Sequence, residues 1–252
     1  MFRIASTFPV EPTGEPLGFF PRYSISGLFV SVSPPTDQES HEKLLSETFG
    51  STDWLWSGDD ELRFDRRTGN LVGFTFKTPE EAPDHSWDPR PWLLAPASTG
   101  ALRACSKENF DARPAETRWV SDDGSHLVCA HRGSLKESAR IERLNVARDL
   151  DFVFEDGNLS GWILRNPANH LVQQWDLPRK NSAPPGLGES LRDYLSIIVQ
   201  PNIESMQEED PRILERLTTL RQKLINIPGD IRRDIIIAQI DRLCDDWYGT
   251  AG

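Results

Sequence analysis

The chain has 252 residues, of which 37% are hydrophobic and 27% are charged, and its formal net charge is −11. This composition is typical of a globular protein, and the acidic balance excludes a general nucleic-acid-binding function, because phosphate contacts require clustered cations. No stretch reaches the ~18 consecutive apolar residues of a membrane span, and the first residues lack the apolar core of a signal peptide. We therefore expect a cytoplasmic protein that makes no membrane contact.

The cysteine and arginine content adds two expectations about the host. Cys105, Cys129 and Cys244 are widely spaced and odd in number, which disfavours a disulfide framework and favours a reducing compartment. Arginine outnumbers lysine by 22 to 6, a ratio that suggests a bacterium with a GC-rich genome.

The first predicted elements are a strand and a short helix. Residues 23 to 32, YSISGLFVSV, are rich in residues that favour strands. Thr36 and Glu39 have the spacing of a capping box, and Gly50 is a stop signal, so the sequence predicts a helix over residues 37 to 49.

An acidic run overlaps this helix and extends beyond it. Between residues 37 and 61 there are eight acids and a single base, Lys43. Such a run is usually a solvated face, but next to tryptophan it also has the composition of a protein interface, in which rings provide buried area and carboxylates provide steering. The candidate partner-binding residues are Asp37, Glu39, Glu42, Glu47, Asp53, Trp54, Trp56, Asp59, Asp60 and Glu61.

A repeated segment follows the acidic run. Residues 62 to 88 match residues 150 to 176 without gaps at nine of 27 positions, including a Trp-Asp pair at the end of each copy. Internal duplication explains this match better than chance does, and the alternative is that two unrelated hairpins converged on the same sequence pattern. In each copy an alternating strand leads into a glycine-containing turn and a return strand, which predicts two antiparallel hairpins.

Both return strands contain a glycine, Gly73 in the first copy and Gly161 in the second. A glycine inside a strand usually marks a bulge or the close approach of another group, and we expect an aromatic ring over it. Between the copies, Asp122 to Gly124 predict a further hairpin, while residues from Ser134 onward fit either a helix or a long strand.

The pattern changes to a helical period after a linker at residues 178 to 188. Apolar stripes predict three helices, of which the last two are joined by a short connection and should form an antiparallel hairpin. The stripe residues are Leu191, Tyr194, Leu195, Ile198 and Val199, then Ile213, Leu217, Leu220 and Leu224, then Ile236, Ile240, Leu243 and Trp247.

The sequence contains no complete motif of a known catalytic or metal site. The five histidines form no zinc-binding spacing, and a nucleophilic pair of Cys129 and His131 lacks an accompanying acid or oxyanion-hole motif. We therefore predict no metal site and no cofactor. An alternative cleft between the two repeats could use the histidines and Trp-Asp pairs that follow each hairpin, although paired Asp residues more often cap turns. These residues are His85, Trp87, Asp88, His170, Trp175 and Asp176.

Together these features predict an α+β fold. Duplicated antiparallel β-hairpin units form one sheet or sandwich system, and a C-terminal helical segment with an antiparallel helix hairpin follows them. The predicted domains are a β-rich domain at 1–177 with repeat units at about 23–100 and 101–177, the linker at 178–188, and a helical tail at 189–252 packed on the β region.

The leading functional hypothesis is an acidic protein-binding protein that engages a basic protein partner through residues 37 to 61. Its concrete form is an inhibitor or immunity protein that occludes a basic toxin such as a nuclease. One alternative is an enzyme with its cleft between the repeats. Another is a structural or regulatory subunit that forms a homodimer through the helical tail.

Overall fold

The computed structural model describes residues 1–5, 7–52, 58–84, 87–131 and 139–249. The strands of this part are β1 (Phe2–Ile4), β2 (Phe8–Pro12), β3 (Arg22–Ser24), β4 (Phe29–Val32), β5 (Thr48–Ser51), β6 (Glu61–Asp65), β7 (Leu71–Lys77), β8 (Ala97–Thr99), β9 (Leu102–Ala104), β10 (Thr117–Val120), β11 (His126–Ala130), β12 (Ile141–Ala147), β13 (Leu150–Glu155) and β14 (Asn158–Arg165). The helices are α1 (Gln38–Glu47), α2 (Arg90–Leu94), α3 (Leu187–Ile197), α4 (Gln200–Gln207), α5 (Pro211–Ile225) and α6 (Ile231–Tyr248), with a short 3-10 helix at Pro167–His170.

The strands form two sheets that contain the two repeats separately. The first sheet has five antiparallel strands in the order β3-β4-β7-β6-β5. The second sheet has nine strands, and five of them repeat the same antiparallel order as β10-β11-β14-β13-β12. The predicted α+β fold with two hairpin units is therefore confirmed. Each hairpin lies at the equivalent place in its own sheet.

Both hairpins carry a bulge at the same position. In the first hairpin Arg63 lies opposite Gly73 while the next pair is Phe64 with Leu71, so the strand β7 has one extra residue. In the second hairpin the corresponding pairs are Val153 with Gly161 and Phe154 with Leu159. A bulge next to each glycine was one of the two features that the sequence predicted.

The two hairpins differ in the turn. Asp156 and Gly157 form a two-residue turn, and both have positive φ, 50° and 79°. The first hairpin has a longer loop in which Gly69 has a φ of 74°. Both turns agree with the Asp-Gly and glycine signals in the sequence.

The core lies between the two sheets. Phe74 and Phe76 on β7 meet Phe152 on β13, with ring centroids 4.9 and 5.2 Å apart, and Phe76 stacks on Trp162 of β14 at 6.0 Å. Each of these side chains is at most 2% exposed. Since burial of a large apolar side chain stabilises a fold by ~1.5–3 kcal/mol, these rings hold the two sheets together.

The helical tail packs on the β region and extends the same core. Arg118 on β10 joins the two parts, because its guanidinium donates to the carbonyl oxygens of Leu195 and Ile198 at the end of α3, and to that of Pro79. Such a cation at a helix C-terminus satisfies carbonyls that have no partner within the helix. The domain boundaries themselves stay predictions.

The last two helices form the predicted antiparallel hairpin. Contacts pair Arg221 of α5 with Asp241 of α6 at 2.6 Å, and further from the connection the Tyr248 hydroxyl donates to the carbonyl oxygen of Asp210 at 3.0 Å. The predicted stripe of α5 is buried in full, and Ile236 and Ile240 of α6 are 0% exposed. In the described residues no helix has the length and apolar character to cross a membrane.

The predicted linker is attached to the helical tail. Arg232 of α6 is 0% exposed, and it donates to the carbonyl oxygens of Asn181 and Ser182 while pairing with Asp230 at 2.8 Å. A buried charge is tolerated only when it is paired and hydrogen-bonded, so these contacts fix the segment in place.

Three local predictions were corrected by the structure. Residues 23 to 32 are not one strand but the hairpin of β3 and β4, with a turn that includes Leu28 at a φ of 49°. The first helix ends at Glu47, two residues before the predicted end, because Thr48 begins the strand β5. Gly50 lies within that strand, where an added Cβ would lie 2.0 Å from the carbonyl oxygen of Leu62. The cap of α1 is Asp37 with Ser40, not Thr36 with Glu39. The ambiguous segment that begins at Ser134 falls largely in residues 132–138, outside the described residues.

Candidate functional site

The predicted acidic surface divides into an exposed part and a buried part. Asp37, Glu39, Glu42 and Glu47 are exposed on α1 and near its start. The helix forms here because the Asp37 carboxylate accepts a hydrogen bond from the Ser40 amide at 2.8 Å. Hydrogen bonds from Ser40 also lower the pKa of Asp37. We call these four acids the acidic face of α1.

The other predicted acids lie elsewhere. Asp60 is 4% exposed and Glu61 is 7% exposed, so neither belongs to an exposed charged surface. The Asp60 carboxylate accepts a hydrogen bond from the Lys77 amide at 2.8 Å, and Glu61 is paired with His41 at 3.0 Å. Asp59 is half-buried. The remaining candidates, Asp53, Trp54 and Trp56, lie outside the described residues.

A cleft of about 600 Å³ lies on the outer face of the five-stranded sheet. The strands β3, β4 and β7 provide its floor, and Gln38 and His41 of α1 line one side. Trp175, which follows the second repeat, and Arg242 of α6 also line it. This volume is in the range of small-molecule sites in proteins.

The floor of the cleft is a row of polar side chains. Ser31 lies opposite Arg22 on one neighbouring strand and Thr75 on the other, and Thr75 lies opposite Glu61. The hydroxyls are linked, since Thr75 donates to Ser31 at 3.3 Å and Ser31 and Ser33 share a hydrogen bond at 3.1 Å. Alternation along each strand directs these polar residues outward and their apolar neighbours into the core.

Arg22 is the most buried charge in this row. It is 3% exposed, and its guanidinium donates to the carbonyl oxygens of Pro35 and Ser33 and to the Ser33 hydroxyl at 2.5, 3.0 and 2.8 Å. The Trp175 ring lies 6.0 Å from its Cζ atom. Burial lowers the pKa of Arg22.

His41 and Glu61 form the second charged feature of the cleft. Nε2 of His41 lies 3.0 and 3.2 Å from the two carboxylate oxygens of Glu61, and the Thr52 hydroxyl donates to the same carboxylate at 3.3 Å. The hydrogen bond to Glu61 raises the pKa of His41. The His41 ring also lies 5.8 Å from the Trp175 ring.

Among the described residues, the candidates for the alternative cleft between the repeats do not come together. Trp87 packs edge-on against Trp92 over the nine-stranded sheet, with centroids 6.0 Å apart, whereas Trp175 lies over the five-stranded sheet. The Trp-Asp pairs therefore cover opposite outer faces, because the segment after each hairpin crosses to the other sheet. The space between the sheets is filled by the aromatic core.

The other residues of that prediction are also separated. Asp88 accepts a hydrogen bond from the Arg90 amide at 3.0 Å and caps the turn before α2, while Asp176 is exposed. His170 is 3% exposed, lies 3.5 Å from Asp149, and lines a small cavity with Arg148. His85 lies outside the described residues.

Cys129 and His131 give no sign of a nucleophilic site. Cys129 is 0% exposed within the core, and burial raises the pKa of its thiol well above the usual value, so the reactive thiolate is disfavoured. Burial lowers the pKa of His131. In the part of the chain that the structure describes, no group of three His, Cys, Asp or Glu side chains is arranged to hold a metal ion.

Sequence reasoning missed the cleft, although a signal for it exists. Polar residues alternate with buried apolar residues along β3, β4 and the residue that follows β4, which is the pattern of a sheet with a polar outer face. The polar residues are Arg22, Ser24, Ser31 and Ser33. The remaining walls come from α1, residue 175 and α6, and their convergence depends on long-range packing.

Comparison with known proteins gives no relative from which to transfer a function. No protein-family model matches the chain, and no curated protein or solved structure is similar enough to match it.

Proposed function

We propose that this protein is a cytoplasmic binding protein that captures a basic protein partner on the acidic face of α1. In its concrete form it is an inhibitor or immunity protein, which neutralises a basic toxin such as a nuclease by covering the cationic groove of that toxin. Binding of this kind requires no cofactor and no direct nucleic-acid contact.

The observation that carries the proposal is the position of the acidic face. Four carboxylates are exposed on and before a ten-residue helix that also lines the cleft, and Lys43 is the base among them. Its contact with Glu47 is long, 4.0 Å, and solvent-exposed, so it offsets little of the negative charge. A partner that lies along α1 would also cover the mouth of the cleft.

The physical role of the carboxylates is steering. Charges of one sign on an exposed surface speed the association of a partner with opposite charge, and salt weakens this effect because the Debye length is only about 8 Å at physiological ionic strength. We expect association to slow strongly when salt is raised, while dissociation changes less.

The two alternatives have weaker support. A homodimer through the helical tail would need an unburied apolar stripe, whereas the stripe of α5 packs within the chain. An enzyme that uses a cleft between the repeats has less support, since Trp87 and Trp175 cover different sheets. This separation concerns only the cleft between the repeats and not the cleft beside α1.

Charge reversal tests the proposal. The triple variant Glu39→Lys, Glu42→Lys and Glu47→Lys is compared with wild type in affinity purification from the native host at low salt. A basic protein should be recovered with the wild type and lost with the variant. The pair should then be reconstituted from purified proteins, with association rates measured at several salt concentrations.

The matched control is the variant Glu204→Lys, Glu208→Lys and Glu215→Lys, which changes the net charge equally at exposed positions of the helical tail. It should bind the partner as the wild type does. Recovery of no basic protein, or equal loss of binding in both variants, would contradict a role for α1.

A further inference from the structure

The second unit provides an internal comparison for the cleft. On the nine-stranded sheet, Val128 and Ile163 lie opposite each other at the place where the five-stranded sheet has Ser31 and Thr75. There the outer face is apolar and is covered by Trp92, which is 0% exposed. On the five-stranded sheet the equivalent face is polar and carries the open cleft.

Trp92 is fixed over the nine-stranded sheet by a hydrogen bond and by close packing on Gly161. Its indole nitrogen donates to Glu155 at 2.8 Å, and its ring is so close to Gly161 that an added Cβ would lie 2.8 Å from it. The chain thus fills one outer face with its own aromatic side chain. At Gly73 an added Cβ would instead meet the Cβ of Ser33, also at 2.8 Å, just after the end of the adjacent strand β4.

Arg22 supplies a buried positive charge beside this open space. Its guanidinium donates to two carbonyl oxygens and one hydroxyl, and among the described residues no carboxylate forms an ion pair with it. By contrast, the buried Arg63 has the charge of Glu61 nearby. A buried charge without a counter-charge is costly, and a bound anion would remove that cost.

The floor of the cleft also has hydrogen-bond donors that are left over after its internal hydrogen bonds are counted. A guanidinium carries five N–H groups, and three hydrogen bonds from Arg22 leave two of them. Thr75, Ser31 and Ser33 have three hydroxyl protons, of which the two hydrogen bonds among them use two. One O–H therefore remains for an acceptor above the floor.

We infer that the cleft binds a small organic anion, with its oxyanion on Arg22 and on the one hydroxyl of Ser31 or Ser33 that is left to donate, and its planar body against Trp175. The aromatic side chains of Trp175 and Phe29 line the cleft and provide the apolar surface that such a body requires. Carboxylates and phosphate esters share this chemistry. The inference does not rest on the binding of a basic protein by α1.

Ligand binding can be measured with simple probes. Benzoate and phenyl phosphate represent the two oxyanions, and benzamide is a neutral compound of similar shape. Binding is measured by saturation-transfer NMR and by titration calorimetry on the full chain. We expect at least one anion to bind roughly tenfold or more tightly than benzamide, since a hydrogen bond to a charged group is the stronger kind.

Two variants locate the site. Arg22→Gln removes the buried charge, and the double variant Ser31→Val, Thr75→Ile copies the apolar pair of the other sheet, which that sheet already accommodates. Each should weaken anion binding about tenfold or more. Thr218→Val on α5 is the control, and it should bind as the wild type does. If Arg22→Gln fails to fold, the double variant decides.

The relative affinities of the two anions identify the ligand class as carboxylate or phosphate ester. The inference is overturned if neither anion binds at millimolar concentration, if benzamide binds equally well, or if the folded double variant retains full anion affinity. Each of these outcomes leaves the charge-reversal experiment on α1 unaffected, so the two proposals can fail separately.

Discussion

At the scale of single residues, His41 links the helix α1 to the floor of the cleft through Glu61. The histidine is a donor to the carboxylate when it is protonated, and this contact raises its pKa above the ordinary value of 6.5. The folded state therefore binds a proton more tightly than the unfolded state does. The stability that this provides is fully present below pH 6.5 and is lost as the pH rises through the folded pKa.

The variant His41→Gln tests this linkage. We expect the difference in unfolding free energy between wild type and variant to be larger at pH 5.5 than at pH 8, as measured by urea denaturation. His126 is the control of opposite sign, because burial lowers its pKa. In His126→Gln the wild type should lose its relative advantage as the pH falls. Equal pH profiles for both variants would contradict the role of the Glu61 contact.

Residue-level prediction from the sequence succeeded where the signal is local. The glycine-containing turns of the two hairpins depend on backbone preferences of the residues themselves, and Gly69 and Gly157 have positive φ. Burial of Asp60 and Glu61 could not be predicted, because it depends on the amide of Lys77 and the ring of His41, which come from other elements. A charge count treats all acids as exposed, whereas tertiary packing here leaves the acids of α1 exposed and buries Asp60 and Glu61.

At the scale of elements, the repeated bulge and its glycine allow an overlying group to approach the sheet. The sequence predicted an aromatic ring over this glycine, and that prediction is confirmed for Gly161 by Trp92. It does not hold for Gly73, where the neighbouring group is the Ser33 side chain. The two hairpins share a backbone, and different segments cover them.

Gly161→Ala tests whether this approach is required. An added methyl group would lie 2.2 Å from the carbonyl oxygen of Cys129 and 2.8 Å from the Trp92 ring. Overpacking of a filled site costs ~1–3 kcal/mol, so we expect a loss of unfolding free energy of at least about 2 kcal/mol in urea denaturation. Gly18→Ala is the control, since nothing lies within 4 Å of the added atom. A Gly161→Ala protein as stable as wild type would show that the sheet can move away.

The helices show where sequence patterns are sufficient for an element. The stripes of α5 and α6 identified both helices and their antiparallel pairing, because their caps and apolar period are encoded within each helix. The strands β3 and β4 were merged into one although Ser26-Gly27 is a turn signal, because the residues on both sides favour strands. The short helix α4 was missed, as only one of its residues is buried.

At the scale of the whole molecule, the two repeats face each other and exchange their following segments. The segment after the first hairpin covers the second sheet through Trp92, and the segment after the second hairpin brings Trp175 to the first sheet. A sequence repeat predicts that two units exist, but it carries no information about which unit each connecting segment covers. That crossing separates the described Trp residues of the two repeats and brings Trp175 to the cleft beside α1.

The helical tail completes the same core, so its disruption should unfold the β region as well. Ile240 of α6 is 0% exposed and belongs to the main core cluster together with residues of both sheets. An unpaired charge at such a position costs several kcal/mol, which is a large part of the 5–15 kcal/mol that stabilises a typical protein. We therefore expect Ile240→Asp to lower the stability of sheet and helix together.

Circular dichroism in the far and near ultraviolet measures this, because the near-ultraviolet signal reports on buried rings such as Trp162. In urea, both signals of Ile240→Asp should change at one midpoint well below that of the wild type. Ile231→Asp is the matched control, since Ile231 is 42% exposed at the start of the same helix, where an acid suits the helix dipole. A different result would contradict this prediction: Ile240→Asp stays folded and its mass by light scattering is half that of the wild type. In that case α6 would be a dimer interface, because charging a residue that is buried within one chain would disrupt the core of that chain.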